Sequence, residues 1–418
     1  MERISSINSS LKANRGSRRI SEPNKKSPSD VVIVSALRTP LCRAGKGGLK
    51  DTTPEILLSH VLKAVIADSK IDPKYIEDLQ CGNVLMPGAG ALVMRAAQIL
   101  ANMDIKTPVA AINRQCSSGL EACSIIASKI KSGLIEIGIG AGVESMSLFD
   151  MQSMIDPAKL SDDIFDNETA SNCLLPMGQC SEILTDKYGL KREKLDEFAL
   201  NSHKKASFAR KNGYFKDEIV PIKVKKTDPK TNATNEVLIE NDDGIRDNIN
   251  IEGLAKLKPV FRPEGMSTAG NSSQTTDGAA AVLLMKRETA EKLGMKILGK
   301  FISHAVVGVP PDLMGIGPAE AIPIAVNDAG LKLNDIDIFE INEAFASQCS
   351  YCIDVLGIDR QKVNPKGGAI AFGHPLGCTG ARMFATLLTE LKRTDKKYGI
   401  ISMCIGTGMG AAAVIERE

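Results

Sequence analysis

The rhythm of this 418-residue chain limits its fold more than any other feature: short apolar runs of strand length alternate with longer helical patterns, twice over, around one polar interruption. Residues 31–34, Val-Val-Ile-Val, open the pattern as a buried strand. Thr53 then caps a helix, with Pro54 at its first position and Ile56, Leu57, Val61, Leu62 and Val65 on one side. Strands follow at 79–85 and 108–112, a helix at 117–131 and a strand at 135–141. The rhythm resumes with strands near 297–307, 336–341, 399–404 and 411–415. Helices are expected near 318–329, 343–356 and 381–392. Such alternation specifies a layered α/β fold. The interruption, residues 148–271, is rich in Asn, Asp and Lys and shows one clear helix near 193–211, ending at Gly213. It reads as an inserted, loop-rich subdomain. Residues 31–147 with 272–293 form a first half and 294–418 a second, although direct sequence similarity between them is too weak to establish a duplication.

Residues 1–30 differ from the rest. They hold seven basic side chains against three acidic ones, so the chain's net charge of +2 comes from this tail while the body is slightly acidic. The tail is Ser- and Asn-rich and poor in apolar residues, which suits disorder. Its Ile4, Ile7 and Leu11 recur at helical spacing, so it reads either as a solvated tail or as a targeting address. In the body, near-neutral charge and an aromatic content of 4% argue against a nucleic-acid binder. Ten cysteines are too dilute for a disulfide scaffold, and no secretory apolar segment opens the chain, so free thiols in a reducing compartment are expected. Four histidines leave little room for His-based metal sites. No run is long enough for a membrane span.

Four segments put reactive residues in Gly-rich or capped settings. In Asn113-Arg114-Gln115-Cys116-Ser117-Ser118-Gly119, Cys116 sits at a helix N-terminus, whose dipole favours a thiolate; taken alone it would be read as a buried structural cysteine. In Glu340-Ile341-Asn342-Glu343, Asn342 lies at a strand-to-helix junction and alone would pass as an N-cap. In Gly373-His374-Pro375-Leu376-Gly377-Cys378-Thr379-Gly380, a tight turn presents His374. In Cys404-Ile405-Gly406-Thr407-Gly408-Met409-Gly410, glycines let backbone approach a ligand or supply N–H groups to an oxyanion. That spacing is not a dinucleotide fingerprint. Two cysteines, a histidine and an asparagine at strand ends describe thiol-based acyl transfer. The pair Cys349 and Cys352 falls inside an expected helix with no second pair, and reads as packing rather than zinc.

These four blocks, in this order, resemble those of the thiolase family over residues 31–418. The resemblance implies a five-layer αβαβα fold of two similar halves. It implies Cys116 as nucleophile on a 3-ketoacyl-CoA, Cys404 as general acid and base, His374 as activator of Cys116 and wall of one oxyanion hole, and Asn342 as holder of a water there. Backbone N–H groups of Cys116 and Gly406 would make the second hole. Arg246 and Ser273 would contact CoA, and Met177, Phe261, Met314 and Phe345 would line the apolar pocket. No metal and no cofactor beyond the co-substrate coenzyme A are implied, and the partners would be 3-ketoacyl-CoA, CoA and a second copy of the chain. Residues 307–312 and Ser273-Gln274 resemble the degradative branch. A biosynthetic acetoacetyl-CoA thiolase and a non-catalytic acyl-CoA- or lipid-binding member are the alternatives. Arg3-Ile4 with Ser10-Leu11 resembles the family's N-terminal peroxisomal signal, with Ser10 where His or Gln is expected, and implies an import receptor. The Arg- and Ser-rich composition also suits a mitochondrial presequence. Cys180 stands where the family has a hydroxylic or aliphatic residue.

Overall fold

The computed structural model describes residues 19–151, 156–227 and 234–418, so the tail features at Arg3, Ile4, Ile7, Ser10 and Leu11 lie outside the described residues. The first half contributes strands β1 (Val31–Arg38), the two-residue β2 (Cys42–Arg43), β3 (Asp78–Gly82), β4 (Val109–Ile112) and β5 (Ile137–Ser145). Within the interruption, β6 (Ile222–Thr227) and β7 (Thr234–Ile239) form a separate antiparallel pair. Strand β8 (Thr276–Lys286) completes the first half, and the second consists of β9 (Gly299–Gly308), β10 (Ile338–Ile341), β11 (Tyr398–Ile405) and β12 (Met409–Arg417).

The two halves share one topology. In the first, β1 pairs antiparallel with β8, β8 antiparallel with β5, and β5 parallel with β3. In the second, β9 pairs antiparallel with β12, β12 antiparallel with β11, and β11 parallel with β10. The duplication that direct sequence comparison left unproven is thus visible in strand order. A short antiparallel contact, Val32 with Lys300 and Ile33 with Gly299, joins the halves into one sheet.

Eight helices of ten or more residues stand among the described residues: α1 (Pro54–Ser69), α2 (Ala91–Leu100), α3 (Ser118–Lys131), α4 (Met177–Tyr188), α5 (Arg192–Lys211), α6 (Gly317–Asp328), α7 (Ala346–Leu356) and α8 (Leu376–Arg393). The two-residue period of the strands sorts them into layers. In β8, Ala279, Ala281, Leu283 and Met285 pack with α1 and α2, while Ala280, Val282 and Leu284 face a central layer built from α3 and α8. In β11 and β12, Ile401, Met403, Ala411 and Ala413 face that same central layer, and Ile400, Ala412 and Val414 pack with α6 and α7. The order is helices, sheet, helices, sheet, helices. Strands covered on both faces read as continuous apolar runs rather than alternating ones, which is why they were detectable.

Local departures matter for the site. Helix α7 starts at Ala346 rather than 343, which leaves Asn342 and Glu343 on extended chain. Helix α8 starts at Leu376 rather than 381, only two residues after His374. The interruption carries two long helices, α4 and α5, rather than one.

Candidate active site

Three of the four segments leave strand ends, those of β4, β10 and β11; the fourth follows a short helix at Ala369–Phe372, so His374 does not stand at the strand end expected for it. Cys116 follows β4 in a turn where Gln115 takes φ +46°, and Ser118 Oγ accepts the Arg114 N–H at 2.9 Å. The thiol is 3% exposed and packs against Val84, Leu85 and Leu376, with Met146, Phe149 and Met177 beside them. Burial pushes its pKa up to about 11, against the pull of backbone N–H groups of Gly406 and Cys116 that face the sulfur. The helix terminus expected to favour the thiolate is therefore outweighed by desolvation. Cys404, at the end of β11, is 1% exposed; burial and then the nearby Cys116 raise its pKa well above the ordinary thiol range. Both sulfurs are neutral thiols in the resting protein.

His374 sits on a backbone that only glycine permits before it: Gly373 has φ +107°, and a Cβ there would come within 2.1 Å of Thr276 Oγ1. The His374 N–H is shared between Gln274 O at 3.1 Å and Thr276 Oγ1 at 3.2 Å. Its Nε2 lies 3.2 Å from Asn342 Nδ2, and its Nδ1 2.6 Å from Thr379 Oγ1. An amide nitrogen can only donate, so Nε2 accepts, Nδ1 carries the hydrogen, and the Thr379 hydroxyl donates on to Pro375 O at 3.3 Å. Burial, then the neighbouring Arg382, lowers the ring's pKa to about 3, so it is neutral. Asn342 is fixed by its N–H to Ser402 O at 2.8 Å. Its buried Oδ1 has no hydrogen-bond partner among the described residues and can accept from a water or a ligand donor.

Several groups that build this site were not singled out from sequence. Thr379 lay within a quoted segment without a role. Glu144, at the end of β5, is 0% exposed and accepts hydrogen bonds from Asn83 Nδ2, Val84 N, Leu85 N and Gly377 N at 2.8–3.2 Å. It ties the wall beside Cys116 to the start of α8. Burial raises its pKa to about 7 despite those donors. Glu343 is a brace: its carboxylate accepts from Ser202 Oγ, Asn364 Nδ2 and Ile370 N, which holds the turn that leads to His374. Nothing in sequence marks such residues, because their partners are distant along the chain.

The expected apolar positions come together. Met177, Phe261, Met314 and Phe345 pack with Ala344, Cys180 and Cys404 in one cluster, and the Phe261 and Phe345 rings meet edge-to-face at 6.0 Å. Cys180 now has an account: it is a buried wall residue whose Sγ lies 3.7 Å from Pro311 O. Cys349 and Cys352 are buried and free within α7. Ser273 is half-buried and donates its N–H to Ala344 O at 3.0 Å. Arg246 is exposed, and its backbone N–H meets His203 Nδ1 at 3.2 Å. Its loop is tied to the His374 turn through Gln274, whose Nε2 reaches Gly244 O at 3.1 Å and Ala371 O at 2.9 Å. Among the described residues, no group of three or more His, Cys, Asp or Glu is arranged to hold a metal ion, and no helix is long and apolar enough to cross a membrane.

Comparisons with known proteins point to one family. The family model described as "Thiolase, N-terminal domain" matches residues 31–288, and "Thiolase, C-terminal domain" matches 295–417. The chain is 56% identical to 3-ketoacyl-CoA thiolase B, peroxisomal, of Rattus norvegicus over 93% of its length and 91% of the relative's. It is 51% identical to 3-ketoacyl-CoA thiolase, peroxisomal, of Yarrowia lipolytica over 100% of both. The crystal structure of the dimeric peroxisomal thiolase of Saccharomyces cerevisiae superimposes with a TM-score of 0.87 at 47% identity, covering 94% of this chain and 99% of that one.

Proposed function

The chain belongs to the thiolase family, and from that premise we infer that it is a degradative 3-ketoacyl-CoA thiolase of the peroxisome. It cleaves 3-ketoacyl-CoA with CoA to acetyl-CoA and an acyl-CoA two carbons shorter. The observation that supports the residue-level reading is that the buried Cys116 lies near Cys404 and packs against Leu376, two residues after the neutral His374 that Asn342 holds.

Because burial keeps thiol and imidazole uncharged, the Cys116 proton leaves during attack rather than before it. The Asn342 Nδ2–H gives up its hydrogen bond to Nε2 of His374, and Nε2 accepts that proton as Cys116 Sγ adds to the 3-keto carbon. Once protonated, Nε2 becomes a donor, and with a water on Asn342 Oδ1 it stabilises the developing oxyanion. The C2–C3 bond breaks; Cys404 Sγ protonates the acetyl-CoA carbanion, and an acyl thioester stays on Cys116. The N–H groups of Cys116 and Gly406, which already face the sulfur, hold the thioester oxygen. The resulting Cys404 thiolate takes the proton of the incoming CoA thiol, which attacks the acyl group; the Cys116 Sγ–acyl bond breaks, and the leaving sulfur takes back the proton held on His374 Nε2. Gly406 suits this role, since even a Cβ there would meet nothing closer than 3.6 Å, leaving space for a substrate.

In this reading residues 31–147 with 272–293 and residues 294–418 are the two thiolase halves. Residues 148–271 carry the CoA-binding part, with Arg246 and Ser273 contacting CoA and Met177, Phe261, Met314 and Phe345 enclosing its reactive end. The enzyme works as a homodimer, and residues 1–30 carry the import signal for a peroxisomal receptor. The test is acylation and turnover of two variants with acetoacetyl-CoA. Cys116→Ser is expected to lose both acyl-enzyme formation and thiolysis. Cys404→Ser is expected to acylate but turn over poorly. Full turnover by either variant removes that residue from the mechanism.

A further inference from the structure

A cleft of about 190 Å³ is lined by Met146, Leu148, Phe149, Met151 and Thr275 with the Ser147 and Asp150 positions between them, and two of these, Met146 and Phe149, also pack in the cluster of the nucleophile. We propose that this cleft receives the acyl chain of the 3-ketoacyl substrate and that residues 146–151 set chain-length preference; the proposal rests on the thiolase reading above. Three observations carry it. The first is continuity: Met146 and Phe149 pack directly with Cys116, Val84, Leu85 and Leu376, so the apolar wall around the sulfur runs without a break into the cleft. A chain attached to the carbon that Cys116 attacks can reach it along Met146 and Phe149, beside the Ser147, Asp150 and Thr275 groups that share the lining.

The second is vacancy. The cluster around Cys404 is closely packed, with Cys180 at 3%, Met314 at 2% and Phe345 at 9% exposed. By contrast Leu148 is 46% and Met151 38% exposed. Apolar side chains turned toward an open cleft are stabilised when a hydrocarbon covers them and removes them from water. Methionine at two of the wall positions supplies an unbranched, adaptable surface, which suits chains of varied length.

The third is anchorage. The fully buried Asp277 accepts hydrogen bonds from the Ser147 N–H at 2.9 Å, the Ser145 hydroxyl at 3.3 Å and the Ser147 hydroxyl, and Ser147 Oγ in turn accepts the Gly45 N–H at 2.8 Å. Met146 Sδ accepts the Thr276 N–H at 3.3 Å, and Thr276 Oγ1 is the group that holds the His374 backbone. The wall is thereby registered to the catalytic turn rather than hanging free.

The test compares kcat/KM for 3-ketohexadecanoyl-CoA with that for acetoacetyl-CoA. In Leu148→Trp, which fills the cleft, the long-to-short ratio is expected to fall at least tenfold; an unchanged ratio overturns the proposal. A second experiment needs no variant. The parent enzyme is irradiated with a non-cleavable acyl-CoA that carries a diazirine at the terminal carbon of a sixteen-carbon chain. Label within residues 146–151 supports the proposal, and label confined to Met177, Phe261 or Phe345 overturns it. Failure of the parent to cleave acetoacetyl-CoA at all would instead remove the thiolase reading on which both experiments stand.

Discussion

His374 keeps one nitrogen 3.2 Å from Asn342 and the other 2.6 Å from Thr379; the amide of Asn342, which can only donate, decides between its two tautomers, and the hydroxyl of Thr379 accepts the hydrogen left on Nδ1. Because that hydroxyl can pass its own hydrogen to Pro375 O, the ring presents a lone pair at Nε2, the atom that must take the Cys116 proton. Thr379 touches no reacting atom and acts as a positioning residue. Thr379→Val is expected to lower kcat by up to on the order of 10²-fold, the scale of a misoriented catalytic group, while KM for CoA stays within about twofold. Thr379→Ser should restore kcat, since it returns the hydroxyl. A parallel rise in KM, or failure of Ser to rescue, would assign Thr379 a packing role instead.

At the scale of elements, the site depends on how closely α3 and α8 approach. A Cβ added at Gly380 would lie 2.1 Å from the Leu120 backbone N, and one at Gly142 of β5 2.1 Å from Gly377 O. Gly380→Ala is expected to destabilise the fold by roughly 1–3 kcal/mol through overpacking, read as a lowered denaturant midpoint. An unchanged midpoint would mean that the two helices separate freely. The same glycines show what sequence could and could not disclose. The segment around His374 was recognisable as a turn, but Gly377 and Gly380 belong to a helix, where their purpose is close approach rather than turning. Strand β8 went unnoticed because its Ala279-Ala280-Ala281 core has weak strand propensity and gains its place from neighbours on both sides. The strand ends that carry Cys116, Asn342 and Cys404 were legible because buried strands announce themselves as apolar runs. Glu144, Asp277 and Glu343 were not, since each acts through partners supplied by other elements.

For the whole molecule, all four histidines have lowered pKa values: burial is the main cause for each, and His203 and His304 fall to about 4. Each is neutral when folded but binds a proton below about pH 6.5 when unfolded, so this group costs stability as pH falls below 6.5. Glu144 and Glu340 work the other way. Burial raises them to about 7 and 8, so they stay protonated in the fold where the unfolded chain is ionised, and stability recovers as pH falls toward 4.5. Below about 4.5 the unfolded carboxyls are protonated too, and the imidazoles act unopposed. Glu218 adds to the loss there: burial alone would raise its pKa, but Lys366 and Arg38 hold it low. Thermal midpoints should therefore decline gently from pH 6.5 to 4.5 and steeply below, as calorimetry would show; a steepest fall between pH 7 and 5 would contradict this. The shared central layer also bears on biosynthesis. Helix α3 leaves the ribosome long before α8, and until α8 arrives Leu120, Ile126 and Ile130 lack their cover. The first half cannot mature as a free-standing module, so a nascent chain stalled short of Leu376 is a client for chaperones and not a partial enzyme.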